Sequence, residues 1–344
     1  LIFIFSRPAS AQDPVYTQFY ASPILLNPAL TGAYEGNFRV FGIYRNQWAS
    51  PLEKPFKNFA AGVDLRFNLN PKRRVSDVAA GGVYFSSDKV GPYSFSNTTI
   101  GLAGAYHKIL DPKNNTILSG GFNFAISQRN LNYEQITFED QFNGTDGYVF
   151  PTNEDLPINN FVYGDLGVGV HISSSPKKAT GFFFGASMLH VNRPELSFYK
   201  RDDDPAQQEK LSAKMYTRFN ISGGARLYLS EDLQLIPRAM MAFQGPHIYG
   251  NVGMTARIEV PAFNNNALHL GINLLPAFGE EKSFTLEAIG AQIGFEVQHM
   301  VIGLSYDHSL TDIIDYRTAQ GAFEISISYF GNYENSTDSF CPVF

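Results

Sequence analysis

The sequence predicts an all-β protein, a transmembrane, antiparallel up-and-down β-barrel of about 14 strands with an N-terminal periplasmic plug or cap segment. Three observations support this prediction. Charged residues make up only 17% of the 344 residues, whereas aromatic residues reach 14%. No apolar run reaches the roughly 18 residues of a membrane helix. Most of the chain after Phe41 instead alternates apolar and polar residues, which is the period of a strand.

The first residues resemble an export signal. An apolar run from Leu1 to Phe5 is followed by Ala9-Ser10-Ala11, and this A-x-A pattern is typical of a signal-peptidase site. We therefore predict the remainder of a signal peptide over residues 1–11, cleavage after Ala11 and export of the protein. The alternative is an ordinary apolar N-terminus.

Residues 12–37 are predicted to form the plug or cap. Pro14, Pro23 and Pro28 interrupt both helix and strand, yet the stretch is too apolar for a disordered tail. Side chains alone fill only barrels of about eight strands, so a wider barrel has room for such a segment. The alternative is a flexible leader. The side chains available for packing are Tyr16, Phe19, Tyr20, Ile24, Leu25 and Leu26.

The barrel itself is predicted over residues 38–331, followed by a C-terminal tail at 332–344. In the stretch GAFEISISYFG, Phe323, Ile325 and Ile327 share one face while Glu324 and Ser326 share the other. The same alternation predicts strands at 38–49, 57–68, 76–87, 95–108, 115–128, 160–173, 179–190, 214–229, 232–243, 246–260, 267–276, 284–296, 299–309 and 319–330.

The connections between these strands support the same reading. The two longest, about 129–159 and 191–213, fall at one end of the barrel, and the tight turns 230–232 and 296–299 fall at the other. Long outer loops with short periplasmic turns are typical of outer-membrane barrels. The alternative is a soluble β-sandwich, but its strands are usually shorter, at about five to six residues.

Several motifs also resemble a known family. The N-terminal signature contains Gln12-Asp13-Pro14, Gln18, Asn27-Pro28-Ala29 and Gly32, and it is followed by YRNQW at 44–48 and CPVF at 341–344. With these motifs the whole chain resembles the PorP/SprF family of Bacteroidota. The resemblance implies an outer-membrane barrel of the type IX secretion system and of gliding motility.

The resemblance also implies a role in protein transport. We expect the barrel to bind a specific exported cargo, such as an adhesin with a C-terminal sorting domain, and to retain it at the cell surface. Type IX secretion components on the periplasmic side would be further partners, and a few family members are general parts of that machine. The alternative function is a plugged channel or transporter for a small or hydrophobic solute.

Charged residues on the predicted polar faces are candidates for a network in the lumen. Most such residues form a structural ion network, and the alternative is that some hold the plug or a cargo segment. Arg45 and Trp48 are the preferred pair because arginine both stacks and forms ion pairs, although Trp48 also suits the aromatic girdle. The candidates are Arg45, Trp48, Asp64, Arg66, Asp165, Arg218, Arg226, Arg238, Arg257 and Glu259.

The long connection near 129–159 is the candidate partner surface, because aromatic residues are enriched where proteins bind one another. A solvated loop packed on itself is the alternative. The cluster RDDDP at 201–205 could hold calcium, but it lacks the spacing of an EF-hand loop, so the sequence favours a solvated charge run instead. The aromatic candidates in the connection are Tyr133, Phe138, Phe142, Tyr148 and Phe150.

The sequence predicts no enzyme and no cofactor. Asp307, His308 and Ser309 are adjacent, but neighbouring residues in a strand point to opposite faces and cannot form a catalytic relay. One cysteine excludes an internal disulfide. The net charge of −6 is unfavourable for a nucleic-acid partner, which calls for a basic face. The apolar wall of the predicted strands makes the lipid bilayer the expected surrounding.

Overall fold

The computed structural model describes most of the chain, and the barrel and the segment before it lie within the described residues. The described ranges are 13–49, 55–70, 76–91, 95–133, 136–154, 156–176, 180–198, 213–260, 266–278, 284–310 and 321–332.

The described residues contain fourteen strands, β1 to β14 in chain order. They are Phe38–Gln47, Phe56–Asn68, Val78–Val90, Phe95–Asp111, Thr116–Asn130, Asn160–Ser174, Gly181–Leu189, Arg218–Tyr228, Leu233–Gln244, His247–Val260, Asn266–Phe278, Phe284–Val297, Met300–Ser309 and Gly321–Gly331.

The strands form one closed barrel in which every strand pairs with its neighbours in sequence. Closure comes from β1 and β14, which pair antiparallel from Phe38 opposite Gly331 to Gln47 opposite Ala322. Closure matters because it leaves no strand edge with unpaired backbone groups. The predicted antiparallel barrel and its fourteen strands are confirmed, with ends that differ by no more than a few residues.

The two walls of the barrel differ as the alternation predicts. On the outer wall, large apolar side chains such as Ile100, Phe122 and Ile272 are more than 60% exposed. On the inner wall, polar side chains such as Asp64 and Glu324 are fully buried. The exposed apolar wall is suited to contact with lipid, and the polar wall encloses the lumen.

The barrel has two distinct ends. The described parts of the connections between β5 and β6 and between β7 and β8 lie at one end, which we call the long-connection end. The turns 229–232 and 298–299 lie at the other, the short-turn end. The sequence predicts that the short-turn end faces the periplasm.

Residues 13–37, hereafter the N-terminal segment, form three short helical turns before β1. These are a 3-10 turn at Phe19–Ala21, the helix α1 at Pro23–Leu26 and a second 3-10 turn at Pro28–Leu30. Proline begins two of them, where its missing N–H costs nothing. Among the described residues, no helix combines the length and the apolar character needed to cross a membrane.

Apolar side chains of the N-terminal segment pack against inward-facing barrel residues. Ile24 is fully buried in a cluster with Phe41 and Tyr84. Leu26 and Leu30 pack against Met240 on the other side of the lumen. These contacts explain why β1 presents Phe41 to the interior, where a polar residue would otherwise be expected.

Candidate functional site

The candidate site is the lumen, where the inner wall of the barrel binds the N-terminal segment. Asp13 lies at the long-connection end, beside His190 and Arg218. The backbone N–H of Asn37 donates to the carbonyl oxygen of Gly331 at the short-turn end, at 2.7 Å. The segment therefore runs the length of the lumen, whereas the sequence predicts a plug or cap on the periplasmic side. Burial of its apolar side chains explains this difference, since matching apolar surface lines the interior.

A charged cluster holds residues 17 and 18 of the segment. Glu324 of β14 accepts hydrogen bonds from the backbone N–H groups of Thr17, at 2.8 Å, and Gln18, at 2.9 Å. Arg45 of β1 forms ion pairs with Glu324 and with Asp307, the latter at 2.8 Å. Buried charges are stabilised by ion pairs and hydrogen bonds. Here the single guanidinium of Arg45 is shared by two carboxylates, and the Oδ1 atom of Asp307 is buried without a hydrogen-bond partner.

The hydroxyl group of Thr17 completes the cluster. It donates to Asp307 at 2.5 Å and accepts from Arg45 at 3.1 Å. The Gln18 side chain donates to Ser305 and accepts from Ser326. Three neighbouring strands, β13, β14 and β1, are thereby joined to the N-terminal segment.

A second group of contacts holds the segment near the short-turn end. Asp64 of β2 accepts from the backbone N–H of Gly32 at 2.7 Å and pairs with Arg39 of β1 at the same distance. Arg66 donates to the carbonyl oxygen of Tyr34 at 2.6 Å. Arg39 also stacks over the Tyr34 ring, 4.6 Å from its centroid.

The middle of the segment contacts the strands on the far side of the barrel. The side chain of Asn27 donates to the carbonyl oxygen of Val170 in β6, at 3.0 Å. Ser187 of β7 and Asn220 of β8 both donate to the carbonyl oxygen of Leu26. The segment is thus hydrogen-bonded to strands on opposite sides of the lumen.

At the long-connection end, Asp13 lies in a network of ionised side chains. His190 lies between two carboxylates, with Nε2 2.6 Å from Asp13 and Nδ1 2.8 Å from Asp165. Burial by itself would lower the pKa of His190, but these carboxylates outweigh it and raise the pKa to about 10. Burial would raise the pKa of Asp13, but His190 and Arg218 hold it well below its ordinary value.

Six of the predicted lumen residues fall into two groups. Arg45, Asp64, Arg66 and Arg218 contact the N-terminal segment directly. Arg257 and Glu259 face the lumen but pair with each other at 2.5 Å.

Trp48 lies just beyond the end of β1. It follows β1 at the long-connection end with a positive φ of 60°, and its ring packs edge-on against Phe56 at 5.0 Å. Trp48 is three residues from Arg45, so strand alternation alone would direct the two side chains to opposite walls, and the backbone also turns after Gln47.

Other contacts of the segment were not among the predicted site residues. Glu324 falls on the polar face of β14, so its inward direction is visible in the sequence. Arg39 follows from the same alternation in β1. The pairing of Asp13 with His190 joins residues far apart in the chain, and no local pattern indicates it.

The N-terminal segment separates two cavities in the lumen. One, of about 110 Å³, lies at the long-connection end and is lined by Tyr16, Phe19 and Leu25 of the segment. The other, of about 480 Å³, lies at the short-turn end and is lined by Tyr20 and Tyr34.

The aromatic candidates of the long connection are partly exposed. Phe142, Tyr148 and Phe150 are 42%, 55% and 52% exposed, respectively. Phe142 and Tyr148 form an isolated antiparallel bridge, and their rings pack 5.2 Å apart. Tyr133 and Phe138 are half-buried. The connection therefore presents a small, ordered aromatic surface beyond the barrel wall.

A comparison with protein families identifies the chain. A family model described as "Type IX secretion system membrane protein PorP/SprF" matches residues 9–329. The chain belongs to the PorP/SprF family. This membership and the closed barrel make it a type IX secretion membrane protein with an outer-membrane β-barrel fold.

Solved structures with a similar fold are distant in sequence from this PorP/SprF protein. The toluene transporter TodX of Pseudomonas putida is 11% identical, with a TM-score of 0.51, over 90% of this chain and 92% of TodX. A FadL homologue of Pseudomonas aeruginosa is 11% identical, with a TM-score of 0.48, over 90% and 94%. The toluene transporter TbuX of Ralstonia pickettii is 10% identical, with a TM-score of 0.46, over 90% and 93%. The similarity to TodX shows the fold alone. No curated protein matches the chain.

The PorP/SprF barrel places Asp307 and His308 on opposite walls. Asp307 is buried in the lumen, whereas His308 is exposed on the outer wall. Within the described ranges, no group of three or more His, Cys, Asp or Glu side chains is arranged to hold a metal ion. The family and the fold are those of a secretion-system membrane barrel rather than of an enzyme.

Some sequence predictions fall outside the described residues. These are the signal peptide at 1–11, the acidic cluster at 201–205 and the tail from residue 333 onward, which includes Cys341.

Proposed function

We propose that this PorP/SprF barrel binds a specific exported cargo protein, such as an adhesin with a C-terminal sorting domain, and retains it at the cell surface. The observation that carries the proposal is the exposed aromatic surface of Phe142, Tyr148 and Phe150 at the long-connection end. Family membership adds that the partners belong to type IX secretion.

The chemistry of this surface suits a protein partner. Aromatic side chains provide a large contact area at low conformational cost and are enriched at interface centres. Asn143 accepts hydrogen bonds from the N–H groups of Thr145, Asp146 and Gly147 at 3.0 to 3.1 Å, which fixes the turn between Phe142 and Tyr148. A preorganised surface loses less entropy when it binds.

Acidic residues surround the same aromatic surface. Glu139 and Asp140 form the short 3-10 turn just before Phe142, and Asp140 accepts from the N–H of Asn153 at 2.6 Å. The proposed cargo surface would therefore be apolar at its centre and basic at its rim, since complementary charges align and accelerate association.

The test is capture of cargo from native outer membranes. An affinity-tagged barrel would be purified in mild detergent from cells that secrete through type IX, and co-purified proteins would be identified by mass spectrometry. We expect the wild type to retain an exported protein, and a Phe142→Ala, Tyr148→Ala, Phe150→Ala variant to lose most of it.

A matched control separates cargo binding from general disturbance of the connection. Val149 is 67% exposed and lies between two of the aromatic residues, so Val149→Thr changes an apolar surface with little change of shape. We expect this variant to retain cargo as the wild type does. Equal cargo recovery from the triple variant and the wild type would contradict the proposal.

A further inference from the structure

The larger lumen cavity, at the short-turn end, has a chemistry that cargo retention does not use. It measures about 480 Å³ and is lined by the N-terminal segment, by Arg39 of β1 and by residues of β8 to β14. Its lining includes four arginines, of which Arg39 and Arg257 are neutralised. Arg39 pairs with Asp64 at 2.7 Å, and Arg257 pairs with Glu259 at 2.5 Å and with Glu296 at 2.7 Å.

The remaining two arginines, Arg226 and Arg238, differ from these. Among the described residues, neither guanidinium has a carboxylate within ion-pair distance. One face of Arg238 is covered by the Tyr20 ring, 4.3 Å from the centroid, while its Nε atom is buried without a hydrogen-bond acceptor. Glu35 also lines the cavity, but it is exposed.

The strand register places these two arginines together. Arg238 of β9 is opposite Gly224 of β8, two residues before Arg226 on the same inward face. The backbone positions of such diagonal neighbours on adjacent strands lie roughly 7–8 Å apart, within reach of long side chains. Two like charges on neighbouring side chains repel one another. An anion between them would offset this repulsion and could accept a hydrogen bond from the buried Nε of Arg238.

We propose that the short-turn cavity binds a phosphate monoester through Arg226 and Arg238. A phosphate monoester carries a charge of about −1.5 to −2 at neutral pH, which matches two unpaired guanidinium groups, whereas a carboxylate matches one. Arginine binds phosphate with two parallel hydrogen bonds, and its planar face remains free to stack, as it does on Tyr20. The cavity also has room for an organic group attached to the phosphate.

Neutral polar side chains around the pair would complete the site. Gln234 of β9 and Gln298 of the β12–β13 turn line the cavity, with Ser328 of β14. They can donate to the remaining phosphate oxygens or to hydroxyl groups of the attached organic part.

Isothermal titration of the detergent-purified full chain tests the site. The probe is glycerol 3-phosphate, titrated at constant ionic strength. We expect the wild type to bind it and the double variant Arg226→Gln, Arg238→Gln to bind at least about tenfold more weakly. Arg193→Gln is the matched control, because it removes an exposed positive charge outside the cavity. Heat-dependent migration in gels verifies that each variant is a folded barrel.

Two further titrations define the ligand. Phosphatidic acid in mixed micelles, compared with phosphatidylcholine, tests whether the phosphate belongs to a lipid headgroup, and tighter binding than glycerol 3-phosphate would assign a lipid source. Weaker binding would assign a water-soluble phosphate. Equal affinity for succinate would overturn the assignment to phosphate. No binding by the wild type, or equal binding by the double variant, would overturn the site itself.

Discussion

A single methyl group added at Gly121 would test whether the N-terminal segment is packed in the lumen. Gly121 faces inward from β5, and a Cβ atom there would lie 2.5 Å from the backbone oxygen of Pro28 and from the nitrogen of Ala29. Backbone atoms cannot yield as a flexible side chain does, so the turn at Pro28–Leu30 must move. Overpacking of this kind costs about 1–3 kcal/mol. If it destabilises only the state in which the segment is bound in the lumen, the population with the segment released rises about 5- to 150-fold.

Hydrogen exchange measured by mass spectrometry is the appropriate assay. The backbone N–H groups of Leu30, Thr31 and Ala33 are hydrogen-bonded within the segment at 2.9 to 3.1 Å, so their exchange reports its local opening. We expect faster exchange of this peptide in Gly121→Ala, with little change in the strands.

The neighbouring glycine provides the control. A Cβ atom at Gly120 would have no atom within 4 Å, because this residue faces outward. Gly120→Ala therefore adds the same methyl group to the same strand without contact to the segment. If the two variants exchanged at the same rate, the packing of the segment against β5 would be refuted.

Three further predictions concern the same segment. Glu324→Ala removes the acceptor of two backbone N–H groups. At about 1.5 kcal/mol or more for each hydrogen bond, the loss should accelerate hydrogen exchange of residues 17–18 about a hundredfold. Ser328→Ala, on the same strand, should leave this exchange unchanged. The pKa of His190 is raised from 6.5 to about 10, so its ion pairs stabilise the fold fully below pH 6.5 and lose this effect as the pH rises through about 10. His190→Gln should therefore reduce the change in thermal unfolding midpoint between pH 6.5 and 10. An unchanged pH profile in this variant would exclude the His190 network as the cause. Deletion of residues 13–36 should join the two cavities and increase single-channel conductance in planar bilayers, and unchanged conductance would show that the segment does not block passage.

The barrel was predictable because one rule governs its whole length. Every strand has one face against an apolar surrounding and one against the lumen, so apolar and polar residues alternate along its sequence. The inward directions of Arg45, Asp64 and Arg218 follow from that period alone. Strand ends were less predictable, because alternation fades where the backbone turns, as it does at Trp48.

The N-terminal segment was only partly predictable. Its prolines and apolar side chains indicate a compact, packed piece of chain, and the structure buries it. Its path through the lumen depends on pairings such as Asp13 with His190 and Asn27 with Val170, which are distant in sequence. The same limit applies to Arg226 and Arg238, whose lack of partners appears only when the barrel closes.

Site-specific photo-crosslinking in living cells tests the central claim most directly. A photoreactive residue would be introduced at Tyr148, on the exposed connection, and separately at Ser230, in the turn between β8 and β9 at the other end of the barrel. We expect a residue at Tyr148 to capture an exported protein through its C-terminal region, and a residue at Ser230 to capture periplasmic secretion components. Capture of the exported protein at Ser230 but not at Tyr148 would contradict this expectation.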